Sequence, residues 1–193
     1  MDNRKDFYTR HRDSLAVRTA MLKHRNRGFI LGEIISFIAF IAFLAAYTAV
    51  DSGMWTLAAA AAMLMLYVVI RRMDVINSRR IEWLEALHGV HERELRYLAG
   101  DYKCFDDGAR YADPSHPFTF DMDVFGRDSL YNRVCRTLTT GGSDCLARSL
   151  AGDPFDGKPI SRQLIDERRE AIDELAAMPD WRVRFLASGA AGR

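Results

Sequence analysis

Two long apolar runs, Gly28 to Val50 and Met54 to Ile70, stand on either side of Asp51-Ser52-Gly53, and they constrain the chain more than any other feature. They hold 23 and 17 residues. At about 1.5 Å of rise per residue each can cross a hydrocarbon core roughly 30 Å thick, the shorter with local thinning of the bilayer. Three polar or flexible residues between them leave room only for a tight reversal, so the sequence predicts a two-helix transmembrane hairpin of antiparallel neighbours, 28–50 and 54–70.

The flanks set the orientation. Residues 1–27 carry eight Lys/Arg against Asp2, Asp6 and Asp13, and Arg71, Arg72, Arg79 and Arg80 follow the second run, whereas the reversal offers only Asp51. The positive-inside bias therefore places both termini in the cytoplasm, with Arg25, Arg27, Arg71 and Arg72 at the membrane interface and the lipid bilayer as the first partner. A cleaved signal peptide would have a shorter apolar region ending at a small-residue site, and no second span would follow it.

Within the hairpin, Ser36, Ala39, Ala42, Ala46 and Ala49 recur every three or four residues, and Ala58 to Ala62 form a block in the second run. Small side chains let backbones approach in lipid, so these faces are expected to meet. Glu33 is the one ionisable residue inside a span. It lies six residues past Arg27 and is expected to snorkel to the interface, because the second span, read as ending at Ile70, offers it no charged partner.

Charge is unevenly spread beneath an overall balance of +1: residues 1–27 sum to +5, 28–70 to −2, 71–80 to +3 and 81–193 to −5. Basic residues hug the membrane, where each is worth roughly 1 kcal/mol near an anionic leaflet. The distal part is acidic, which argues against direct nucleic-acid binding. Cys104, Cys135 and Cys145 show no CxxC and no close His pairing, so structural thiols are expected and no metal site.

In chain order, residues 1–27 read as a basic interfacial helix or an extension of the first span, and 71–100 as a long cytoplasmic helix continuing the second and ending near Gly100. On it, His88 and His91 lack a third partner at helical spacing and read as solvated surface. Residues 101–128 lose periodicity and read as an irregular linker, with one alternation, Phe118, Phe120, Met122, Val124, that admits a short extended piece. Helices are expected over Ser129 to Leu138, capped by Asp128 or Ser129, and over Ser143 to Leu150, capped by Ser143. A last helix starts at Ser161, with Ile160 and Ile165 as a hydrophobic staple and Leu164, Ile165, Ala171, Ile172, Leu175 and Ala176 on its buried side; Pro179 stops it. Asp180 to Leu186 open one more turn or helix, and 188–193 read as a frayed end. Gly152 to Lys158 mimics GxxxxGK, but Pro159 replaces the magnesium-ligating Ser/Thr and no buried strand precedes it.

From Leu84 to Phe185 the chain resembles a family. His116-Pro-Phe-Thr-Phe-Asp-Met-Asp-Val-Phe-Gly126, Ser129-Leu130-Tyr131, Asn132-Arg133-Val-Cys-Arg136-Thr137-Leu-Thr139-Thr-Gly-Gly142, Ile160-Ser-Arg162-Gln163 and Ile172-Asp-Glu-Leu175 occur in the order of the start of the MutS-type helical core. The pattern is similar to the membrane-anchored MutS-related proteins of bacteria. The resemblance implies structural roles for His116, Pro117, Asp121, Asp123, Phe125, Gly126, Arg136, Thr137, Gly142 and Arg162, with Gly142 supplying a tight reversal and Thr137 a helix-end hydrogen bond. Residues 129–187 would be the core-like helices. The pair after the turn glycine, often basic in that family, is Ser143-Asp144 here.

The expectation is thus an all-α chain: a transmembrane hairpin in a bacterial inner membrane, then a cytoplasmic helical core joined through an irregular segment. It would be a non-catalytic anchoring and lever module without cofactor. ATP and magnesium would be expected only in a MutS-type ATPase domain of a longer parent, and a homodimer is admitted as a partner. The alternative is a two-span scaffold or regulator whose acidic domain binds a protein partner.

Overall fold

The computed structural model describes residues 2–49, 53–153 and 161–191, and every α-helix or 3-10 turn in it is accounted for without a strand among those residues. Helix α1 is Asp2–Ala49 and α2 is Trp55–Leu98; a 3-10 turn at Ala109–Tyr111 precedes α3 (Leu130–Val134), α4 (Thr140–Ala151), α5 (Arg162–Ala176) and α6 (Pro179–Ala191). The basic amino-terminal segment and the first apolar run are one helix, and the second run continues to Leu98. There Gly100 takes a φ of 86° and the Asp101 N–H donates to the Arg96 carbonyl, closing the helix end. The chain divides into two compact units, Ser14–Glu85 and Met1–Asp13 with Ala86–Arg193.

In the unit Ser14–Glu85 the two long helices touch in descending order. Phe37 meets Tyr67 with ring centroids 5.6 Å apart, and a Cβ on Gly32 would lie 3.3 Å from Ile70 Cδ1. Asn77 Nδ2 donates to Asn26 Oδ1 (3.0 Å) and to the Leu22 carbonyl (3.2 Å), and Lys23 Nζ lies 2.6 Å from Glu85 Oε1. Partner numbers rise along α2 as they fall along α1, so the pair is antiparallel here. Of the small-residue faces, Ser36 and Ala60 are buried, while Ala42, Ala49, Ala58, Ala61 and Ala62 are exposed; the close seam is narrower than the sequence pattern predicts.

The other unit is built on Tyr131, Cys135 and Ala147, with Tyr111, Phe125, Leu146 and Leu150 packed around them. Asn132 organises the irregular segment beside this core: its side-chain amide donates to the carbonyls of Tyr102 (3.3 Å), Phe105 (3.0 Å) and Asp106 (3.2 Å). Gly108, at φ 67°, brings the backbone against the fully buried Tyr131 ring, where a Cβ would lie 2.6 Å from Cδ1. The alternation over residues 118–124 forms turns rather than an extended piece.

Several helix ends differ from expectation for local reasons. Ser129 caps α3 through the Asn132 N–H, but the helix stops at Val134 because Cys135 leaves helical geometry (ψ 115°), and Arg136 is drawn away to Glu94. Helix α4 begins earlier than Ser143: Thr139 is its cap, accepting from the Gly142 N–H, so Gly142 sits in the first turn rather than making a reversal. Ser161 caps α5 as expected from its spacing. Its apolar side is nonetheless uncovered, with Ile165 54% and Ile172 66% exposed. Helix α6 runs to Ala191, through the stretch from Ser188 that reads in the sequence as a frayed end, since Ala187 is fully buried and Gly189 lets the helix close on Leu138. Ile160 and the segment 154–159 of the phosphate-loop mimic lie outside the described residues; Gly152 itself caps α4 at φ 75°.

Gly108→Ala should lower the stability of the Tyr131-centred unit by about 2–4 kcal/mol, since it adds left-handed strain to a clash with a buried ring. Denaturant melts of the detergent-solubilised chain, followed by near-UV circular dichroism, measure this; an unchanged midpoint contradicts the packing described.

Candidate functional site

Three junctions bring buried or half-buried ionisable side chains together. The first lies along the α1–α2 seam. Glu33 Oε2 lies 3.3 Å from Arg71 Nη1, and Asp74 Oδ2 lies 4.0 Å from the same nitrogen. Glu33 therefore has a charged partner on the second helix. That partner stands one residue past Ile70, just beyond the apolar run in which none is expected. The Glu33 and Asp74 side chains are only 13% and 12% exposed, and Glu33 Oε1 and Asp74 Oδ1 are buried without a hydrogen bond. Two buried carboxylates thus share one half-exposed guanidinium, and Ser36 Oγ, turned back on the Gly32 and Glu33 carbonyls, relieves neither.

The other interface residues are placed differently. Arg25 lies over the Phe29 ring at 5.6 Å, Arg27 borders a groove against α2, and Arg72 is exposed.

The second junction surrounds His91. It is 3% exposed, not the solvated surface residue expected, because Phe7, Tyr8 and His11 of α1 pack on it; the His11 ring stacks at 5.5 Å and 15°. Burial, then the His11 and His88 imidazoles, push His91 down from 6.5 to about 4, while Asp180 opposes them. The missing third histidine was thus on another helix, invisible to spacing within α2. The stacked geometry keeps the two rings parallel rather than aiming their nitrogens at a common point. Among the described residues no group of three or more His, Cys, Asp or Glu is placed to hold a metal ion.

The third junction is Arg136. Its Nε lies 2.7 Å from Glu94 Oε1, and its guanidinium is 3.7 Å from the Phe105 ring centroid and 4.5 Å from that of Tyr97. Nη1 also donates to the Cys135 carbonyl at 2.8 Å. With both partners largely buried, this sandwich ties α2, the irregular segment and the stretch after α3 together. The cleft beside it, about 100 Å³, has room for a few waters and none for a nucleotide.

The remaining motif residues are spread along the loop and helix starts. His116 Nδ1 accepts from the Thr119 N–H (3.3 Å) beside exposed Pro117; Asp121 is exposed; Asp123 holds φ 48°; Phe125 packs on Tyr111 and Tyr131; and Gly126, at φ 110°, donates to the Asp107 carbonyl at 2.8 Å. Thr137 Oγ1 pairs with Ser143 Oγ at 2.7 Å, and Arg162 is the exposed first residue of α5. Asp144 accepts from the Tyr111 hydroxyl at 2.5 Å. These contacts serve packing, turn closure and capping. All three cysteines are free thiols.

Compared with known proteins, the chain matches no family model, no curated protein and no solved structure.

Two outcomes follow from these junctions. Glu33→Gln and Arg71→Gln should each destabilise the α1–α2 pair, and the double variant should lose less than their sum by about 1 kcal/mol in a double-mutant cycle in detergent; strict additivity contradicts the pairing. Neutral His91 is favoured in the folded chain, so between pH 6.5 and about 4 the unfolded chain binds the extra proton and stability falls with pH. The loss should be on the order of 2–3 kcal/mol, and His91→Gln should flatten it in melts taken across that window.

Proposed function

We propose that the chain is a two-pass membrane anchor with both termini in the cytoplasm, carrying a helical module that is non-catalytic by itself. One observation carries this reading. An 18-residue window of α1 has a mean hydropathy of 2.4, yet only 6% of it is buried by protein. A soluble core helix of that composition would be covered; this one is not. Helix α2 supports a second crossing with Trp55, Met65 and Val68 exposed at 66%, 72% and 56% on the stretch antiparallel to it. The reversal is short, and basic residues flank the outer ends of both runs while none stands at the reversal.

The resemblance to the MutS-related core gives the module its proposed place: a lever-like, anchoring part belonging with an ATP-binding domain of a longer parent. The Arg136 sandwich and the Thr137–Ser143 pair are in keeping with architectural roles for those motif residues. A second reading, a membrane scaffold that docks a protein partner, is favoured by the uncovered apolar residues of α5 together with Trp181 and Phe185, stacked at 5.2 Å on α6 and about half exposed.

Topology decides the anchor. A single cysteine at Ser52, in a background lacking the native thiols, should react with a membrane-impermeant maleimide from outside intact cells, while cysteines placed at Lys5 and Ser188 should react only after permeabilisation. Labelling of either terminal site in intact cells, or a chain recovered in the soluble fraction without detergent, overturns the reading.

A further inference from the structure

Beside the Asn26–Asn77 contact, α1 and α2 leave a groove of about 320 Å³ bordered by Lys23, Arg27, Ile30, Ser78, Glu82 and Glu85, at the lower end of the size of small-ligand sites. Its charges are two cations and two carboxylates, in sum neutral. Lys23 and Glu85 neutralise each other at 2.6 Å. Arg27 and Glu82 carry no ion pair among the described residues, so the groove presents one unspent guanidinium and one unspent carboxylate on opposite helices, with Ser78 on the α2 wall one turn before Glu82. That pattern complements a zwitterion. It does not complement a simple anion, which would satisfy Arg27 and leave the Glu82 carboxylate beside a second negative charge.

Depth and continuity narrow the zwitterion. Arg27 is the last residue before the apolar run, and Ile30 on the rim begins a stripe at helical spacing, Ile30, Ile34, Phe37 and Ile41, exposed at 46%, 51%, 48% and 48%. A ligand with a zwitterionic head in the groove and an apolar tail along that stripe would satisfy both surfaces at once. We propose that the groove seats the phosphoethanolamine headgroup of a membrane lipid, its phosphodiester on Arg27 and its primary ammonium on Glu82, with an acyl chain following the isoleucine stripe. This rests on the two-span reading above. A primary ammonium gives Glu82 charge-assisted N–H donors that a trimethylated ammonium lacks, so phosphatidylethanolamine should be preferred to phosphatidylcholine. Phosphatidylglycerol has no cation to offer Glu82 and adds a net negative charge.

The full chain in detergent, titrated with equimolar phosphatidylethanolamine, phosphatidylcholine and phosphatidylglycerol and read by native mass spectrometry, tests this. Phosphatidylethanolamine should be bound about fivefold or more over each of the others. Glu82→Gln should bring it down to the phosphatidylcholine level, Glu82→Asp should keep part of the preference, and Arg27→Gln should weaken all three. Equal binding of phosphatidylglycerol, or a preference that survives Glu82→Gln, overturns the headgroup site. Flotation of the same wild-type and variant proteins with phosphatidylcholine vesicles separates the two ideas: a chain that floats but shows no headgroup preference refutes this site alone, and a chain that does not float refutes the anchor and the site together.

Discussion

An apolar helix surface left uncovered by protein has to be covered by something else, and this chain leaves such a surface along most of the carboxy-terminal half of α1. Each exposed isoleucine, leucine or phenylalanine there would lose on the order of 1.5–3 kcal/mol of transfer free energy if it faced water. Leu31, Ile34, Ile35 and Ile38 are each more than half exposed. The same residues in hydrocarbon are at no disadvantage. The reversal, the basic flanks and the antiparallel contacts all gain meaning from that one requirement.

In lipid, apolar side chains do not choose a partner helix over an acyl chain, so register has to come from polar contacts and close packing. The seam supplies both. Gly32 admits Ile70, Ser36 and Ala60 are buried, and three polar pairs, Lys23–Glu85, Asn26–Asn77 and Glu33–Arg71, space themselves along the helices. A slip of one residue would misalign all of them and leave the Glu33 and Asp74 carboxylates without their shared cation. The other unit uses the same device: the single Arg136 side chain holds Glu94, Tyr97 and Phe105, and the single Asn132 amide holds three carbonyls of the neighbouring loop.

The sequence was most informative where local chemistry decides. Apolar runs, the Ser129 and Ser161 caps, and the glycine-marked end of α2 could be read from neighbours a few residues apart. What it hid depends on distant partners. Arg136 ends a helix because Glu94 is 42 positions away, and His91 is buried because Phe7, Tyr8 and His11 come from another helix. The stretch Ser188-Gly189-Ala190 has the composition of a tail, yet it is helix because Leu138 needs a glycine opposite it. The uncovered side of α5 follows the same logic in reverse, since an amphipathic pattern states that a face can be buried without saying by what.

Oxygen accessibility of nitroxide spin labels, placed singly from His24 to Tyr47 in the chain reconstituted in lipid vesicles, tests the central claim most directly. Accessibility to oxygen should rise past Arg27, peak around Ile38 to Ile41, and dip with a helical period at Gly32, Ser36 and Ala39, where α2 lies. A profile that stays flat and open to a water-soluble nickel reagent throughout would contradict it.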